Sequence, residues 1–104
     1  MTDYELLQLA AKAAGIPSSE ILPYTNDWGG IEDAEWNPFI DDGDTWRLAV
    51  ATGIDIVFFG DFARVSKRVN DILTFTHVID AKANIELLRR AVVIAAAEVG
   101  KSMP

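Results

Sequence analysis

Six residues between positions 33 and 44 have the spacing of a calcium-binding loop. Oxygen ligands at positions 1, 3, 5, 7, 9 and 12 of such a loop surround the cation. In this chain those positions hold Asp33, Glu35, Asn37, Phe39, Asp41 and Asp44. Pro38 stands where glycine permits the sharp turn, and the last ligand is the shorter Asp44 in place of glutamate. We therefore favour helix capping and a solvated acidic loop, and we predict no metal site and no cofactor.

Nucleophiles and bases do not form a catalytic pattern. His77 is the single histidine, and the absence of cysteine removes thiol nucleophiles and thiolate zinc sites. The serines lack the glycine-flanked nucleophile elbow, and Gly29-Gly30 lacks the lysine of a phosphate loop. Glycosidase chemistry needs two carboxylates at a fixed separation, which an abundance of acids does not establish. We predict that the protein is not an enzyme and that His77 is an ordinary strand residue.

An acidic segment with every tryptophan of the chain is the strongest functional signal. No Lys or Arg occurs between Lys12 and Arg47, yet half of the sixteen acids lie there. The same segment holds Trp28, Trp36 and Trp46. Aromatic anchors with a charged rim are common in protein interfaces, so we expect a binding surface for a basic protein partner.

Parts of this segment have simpler expected roles. Trp36 and Trp46 are expected to pack against the core, and the carboxylates of residues 41–44 to start a helix. The predicted binding site therefore contracts to residues 27–35. Its expected contacts are Asp27, Trp28, Glu32, Asp33 and Glu35.

Composition and charge restrict the class of protein. A chain of 104 residues, half of them apolar, is expected to form one compact domain over residues 1–104. The longest nearly uncharged run is residues 91–97, against about 20 residues needed to cross a bilayer, and the acidic amino terminus is unlike a secretory signal. We expect no membrane association and a cytoplasmic location in a bacterial host.

Nucleic acid is not an expected partner. A net charge of −7 opposes binding to phosphates. Arg64, Lys67 and Arg68 form a basic cluster without interleaved aromatic residues, which is more typical of a solvated strand face or a protected sheet edge.

Hydrophobic periodicity predicts three helices. Thr2 and Glu5 form a capping box before a helix over residues 3–14. A short middle helix is expected over residues 45–52, after the Asp41–Asp44 carboxylates. A long helix is expected over residues 81–100, begun by Asp80. In that last helix the expected buried stripe is Ile85, Leu88, Val92, Ala95 and Val99, widened by Leu87, Ala91 and Ile94.

Between the middle and last helices, three runs read as strands of an antiparallel meander: residues 54–59, 63–69 and 72–79. We expect Leu73, Phe75 and His77 to share a face of the third. A small hairpin is also expected, turning at Gly29-Gly30 and pairing residues 21–24 with 34–36. The predicted class is α+β, with the sheet packed against the helices.

Several short runs also resemble a known group of proteins. These runs are Trp36-Asn37-Pro38, Asp41-Asp42-Gly43-Asp44, Arg47-Leu48-Ala49-Val50 and residues 89–93 and 95–100. They are similar to small phage and prophage proteins with the phage ABA sandwich domain, a helix–sheet–helix unit of unknown function. The resemblance implies a fold and a phage origin, and it supplies no catalytic or binding residues.

These observations favour a phage or prophage accessory protein that binds a host or phage protein through its acidic surface. Inhibition of a host defence or nucleic-acid enzyme would be one such use. Two alternatives remain: a small-ligand or metal-binding module closed by the acidic segment, and a structural protein that forms homo-oligomers through a sheet edge.

Overall fold

The computed structural model describes residues 2–17, 36–70, 72–80, 82 and 84–103. The predicted α+β class is confirmed within these residues, which form three helices and a three-stranded sheet. Along the chain the elements are α1 (Asp3–Ala14), α2 (Asp42–Thr52), β1 (Ile54–Phe59), β2 (Phe62–Val69), β3 (Ile72–Asp80) and α3 (Ile85–Lys101). The predicted hairpin around Gly29-Gly30 lies outside the described residues.

Helix α1 begins and ends where the sequence predicts. The Glu5 N–H donates to the Thr2 hydroxyl at 3.1 Å, and the Thr2 N–H donates to the Glu5 carboxylate at 3.4 Å. These two bonds complete the capping box. Gly15 ends the helix in the left-handed conformation, with φ +76°.

The predicted starts of the other two helices were wrong by several residues. Helix α2 begins at Asp42 and not at residue 45, because the Asp41 carboxylate accepts the Asp44 N–H at 2.8 Å and caps the helix earlier. Helix α3 begins at Ile85, with Asn84 as the cap in place of Asp80. Asp80 instead continues β3, where it pairs with Phe62.

The sheet is an antiparallel meander with strand order β1-β2-β3. Gly60 occupies the first central position of the β1–β2 turn with φ +60°, where a type II′ turn favours glycine. Because β2 is the central strand, edge protection does not explain its basic cluster. Arg64 and Arg68 are exposed, and Lys67 is half-buried with its ammonium donating to the Gly53 carbonyl at 3.5 Å.

An irregularity in β3 overturns one predicted face. The β2–β3 register shifts between Lys67 and Arg68, so that Lys67 pairs with Phe75 and Arg68 pairs with Leu73. The extra residue on β3 breaks the alternation of a regular strand. Phe75 therefore packs against the core, whereas Leu73 lies on the other face and is exposed. His77 shares the face of Phe75, as predicted, because the register between them is regular, and its side chain is exposed.

Helix α3 packs against the sheet and α1 packs against α3. Small residues of α3 permit close packing; its buried positions include Ala91, Ala95, Ala96 and Ala97. Asp3 contacts Arg90 at 2.8 Å, and the Lys12 ammonium donates to the Met103 carbonyl at 3.0 Å. Helices α1 and α3 therefore run parallel.

Helix α2 also begins at this end of the molecule. Asp42, in its first turn, contacts Arg89 in the second turn of α3 at 2.7 Å. All three helices thus begin at one end of the described structure, which we call the helix-start end.

The two described tryptophans have opposite environments. Trp36 is 7% exposed and packs into the core, as predicted, whereas Trp46 is 62% exposed and the prediction that it packs was wrong. Ile85 and Leu87 are likewise exposed, so the buried face of α3 begins only at Leu88.

Candidate protein-binding surface

The predicted contacts Asp27, Trp28, Glu32, Asp33 and Glu35 all lie outside the described residues. From the same acidic segment the structure places Trp36, Asn37 and the three aspartates at the start of α2. Their local roles decide which part of the segment is available to a partner.

The aspartates at the start of α2 hold in place the turn that precedes this helix, residues 36–41. Asp44 accepts the Asn37 N–H at 3.0 Å through one carboxylate oxygen and binds the Arg47 guanidinium at 2.8 Å through the other. Asn37 is buried, and its side-chain oxygen accepts the Phe39 N–H at 3.0 Å. Thr45 adds a hydrogen bond from its hydroxyl to the Pro38 carbonyl.

This network engages side-chain oxygens that the calcium-loop spacing would need as cation ligands. Asp41, Asp44 and Asn37, the described members of the loop spacing that have side-chain oxygens, direct them to backbone N–H groups or to Arg47. Within the described residues, no group of three His, Cys, Asp or Glu side chains is arranged to hold a metal ion. Asp33 and Glu35 lie outside those residues.

Large apolar side chains are exposed at the helix-start end. They come from the turn before α2, from α2, from β1 and from the first turn of α3, and they are Ile40, Trp46, Phe58, Ile85 and Leu87. Three carboxylates lie at the same end: Asp3, Asp42 and Glu86. We call these eight residues the helix-start surface. Exposed apolar residues with a charged rim are typical of surfaces that bind other proteins.

The rotation of α2 explains why Trp46 is exposed. Leu48, Ala49 and Thr52 form the buried face of this helix, together with Thr45. Trp46 follows Thr45 by one position, which is a rotation of about 100° around a helix of 3.6 residues per turn. This rotation places Trp46 outside the face that Leu48 and Thr52 share. The spacing of Leu48, Ala49 and Thr52 was therefore the signal in the sequence that would have placed Trp46 outside.

Two open cavities flank the start of α3. The larger has a volume of about 300 Å³ and is lined by residues that include Asp3, Phe39, Ile40, Glu86 and Arg90. The smaller, of about 170 Å³, lies on the other side of the helix. Its lining includes Asp42, Trp46, Phe58, Ile85 and Arg89.

Both arginines at this end are held by carboxylates. Arg89 is largely buried, with a side chain 16% exposed, and it binds Asp42, whose side chain is 77% exposed. Arg90 binds Asp3 and lies over the Phe39 ring, 5.4 Å from its centroid. A partner approaching from solvent therefore meets the Asp42 carboxylate before the Arg89 guanidinium.

Charge is divided unevenly between the described residues and the rest of the chain. All nine basic residues but only ten of the sixteen acids are described, so this part carries a formal charge of −1. The other six acids include Glu20 and four of the predicted contacts. The excess negative charge of the protein therefore belongs mainly to residues 18–35.

The sequence resembles no characterised protein closely enough to establish a family. No protein-family model matches the chain, and no curated protein or solved structure shows significant similarity to it. The similarity to phage ABA sandwich proteins therefore stays a prediction. None of the described helices combines the length and the apolar character needed to span a bilayer.

Proposed function

We propose that this chain is a phage or prophage accessory protein that acts by binding a protein with a basic surface, without catalysis. In this proposal it functions in the cytoplasm of the bacterial host. By occupying the nucleic-acid site of its partner, the protein would inhibit a host defence or nucleic-acid enzyme. The observation that carries the proposal is the concentration of unbalanced carboxylates in residues 18–35, beside a described part of nearly neutral charge.

Physical chemistry favours a basic partner. An acidic segment without cations raises the rate of encounter with a positively charged surface and repels negatively charged ones. Binding that depends on such charges weakens as salt screens them, since the Debye length falls from about 10 Å at 0.1 M to about 3 Å at 1 M ionic strength. The exposed apolar side chains of the helix-start surface supply the hydrophobic contacts that charge alone does not.

Affinity capture from a bacterial lysate tests the proposal. The wild type is compared with a variant carrying Asp27→Asn, Glu32→Gln, Asp33→Asn and Glu35→Gln. A matched control removes the same number of charges elsewhere through Glu5→Gln, Asp55→Asn, Asp61→Asn and Glu98→Gln. Glutamine at position 5 preserves the capping box.

We expect the wild type and the control to capture the same basic protein, identified by mass spectrometry, and the segment variant to lose it. Moderate salt should release it from the wild type. A capture profile that neither salt nor the segment variant changes would contradict the proposal.

A further inference from the structure

A groove runs along β1 beside α2, and two cavities in it share Trp46 and Ile56 in their walls. The first cavity, of about 90 Å³, is lined by Trp46, Ala49, Val50, Ile54 and Ile56. The second is the cavity of about 170 Å³ at the start of α3, and its apolar lining includes Trp46, Ile56, Phe58, Ile85 and Leu88. We call these two cavities together the Trp46 groove.

The walls of the Trp46 groove include large apolar side chains that are exposed to solvent. Val50 is 71% exposed and Phe58 is 60% exposed, similar to Trp46. Tryptophan is among the residues that most often dominate binding energy at protein interfaces. Large contiguous apolar patches on soluble proteins usually mark a site of interaction. The groove therefore has the composition of a docking site.

The charges at the groove restrict what can occupy it. Among the described residues, Asp42 and Arg89 are the charged ones in its lining, and they lie together at the end where α3 starts. Arg89 is mostly buried behind Asp42, so the outward charge is a carboxylate. Asp41 adds a second exposed carboxylate one residue away. Positive charge on the occupant complements this end. A second copy, with a net charge of −7, would bring an excess of negative charge toward these carboxylates.

The spacing of the cavities fits an extended chain. They follow β1 from Ile54 to Ile56 and from Ile56 to Phe58, so they are offset by two strand residues. Side chains two positions apart in an extended segment lie on one side at about 6.6 Å spacing. Two such apolar side chains would fill one cavity each, and both would contact Trp46.

We propose that the Trp46 groove binds an extended segment of a basic partner protein, with apolar side chains two positions apart and Lys or Arg near Asp42. This inference deepens the proposed function, on which it rests, by naming a contact surface among the described residues.

Peptide binding tests the inference directly. The probe is a seven-residue peptide of alternating Leu and Lys, compared with a Leu/Glu peptide and a Ser/Lys peptide of equal length, by calorimetric titration. The protein variants are Trp46→Ala and Asp42→Asn. The control is Phe59→Ala, which removes an exposed aromatic ring from the other face of β1.

We expect the Leu/Lys peptide to bind the wild type and Phe59→Ala equally, and Trp46→Ala at least tenfold more weakly. The Asp42→Asn variant should weaken binding severalfold, and the other two peptides should bind poorly to every protein. Thermal unfolding should place Trp46→Ala within about 3 °C of the wild type, because an exposed substitution changes stability little. If it unfolds earlier, Val50→Ser replaces it.

Several results would overturn the inference. These are equal binding of the Leu/Lys peptide to Trp46→Ala and wild type, equally tight binding of the Leu/Glu peptide, or no binding at all. Sedimentation showing a wild-type dimer and a Trp46→Ala monomer would assign the groove to a second copy. The proposed function is contradicted by a separate result, namely that neutralising the acids of residues 27–35 leaves the proteins captured from the lysate unchanged.

Discussion

At the residue scale, two helical glycines have opposite surroundings. Helix propensity alone favours alanine at Gly43 and Gly100 by up to about 1 kcal/mol. A Cβ added at Gly100 would collide with the Leu9 backbone of α1, which has no rotamer change available to relieve the clash. The three heavy atoms nearest to a Cβ at Gly43 belong to the side-chain ends of Arg47 and Asp41, and the closest contacts are 3.1 Å.

We predict that Gly100→Ala lowers the free energy of unfolding by about 1–3 kcal/mol, because α1 and α3 must separate. Gly43→Ala should change it by less than about 1 kcal/mol, because the gain in helix propensity is offset by a displacement of the Asp41 and Arg47 side chains. Urea unfolding of both variants measures the difference. Equal effects at the two positions would show that α1 and α3 do not approach closely at Leu9.

The burial of individual side chains could be predicted only in part from the residue type. The sequence shows that Trp36 and Trp46 are large and apolar, and both were expected to pack. Exposure depends on the direction of the side chain. For Trp46 this direction is set by the buried face of α2, and for Trp36 by the contact of the turn with α2. The five predicted contacts lie outside the described residues, so they remain predictions.

At the element scale, Asp41 determines where α2 begins. Its carboxylate accepts the Asp44 N–H at 2.8 Å, which satisfies one of the unpaired donors at a helix start. We predict that Asp41→Ala lowers the free energy of unfolding by about 1 kcal/mol, and that Asp41→Asn retains most of it, since both side chains cap well. Urea unfolding would contradict this role if the two variants were equally destabilised.

The existence and chain order of the described helices and strands were predictable, whereas some of their boundaries were not. The capping box of α1 and the turn at Gly60 are local signals, and both are confirmed. The start of α3 depends on how far β3 pairs with β2, which is a long-range contact. The choice of Asn84 over Asp80 as the cap therefore could not be read from either residue alone.

At the scale of the whole molecule, one core joins every described element. It contains Leu7 of α1, Leu48 of α2, Val65 of β2 and Val92 of α3, and the turn contributes Trp36. We predict one cooperative unfolding transition, with the same midpoint by tryptophan emission and by far-ultraviolet circular dichroism. Different midpoints would show that the turn or the sheet unfolds separately and would contradict the predicted single domain.

The parallel course of α1 and α3 has a practical consequence for attaching the protein to a sensor. Thr2 adjoins Asp3 at the helix-start end, whereas Met103 lies beside Lys12 at the far end. Immobilisation through the carboxyl-terminal side therefore presents the helix-start surface to solution, and immobilisation through the amino-terminal side turns it toward the support. The orientation of the tether therefore decides how accessible the helix-start surface is to a partner in a surface-based measurement.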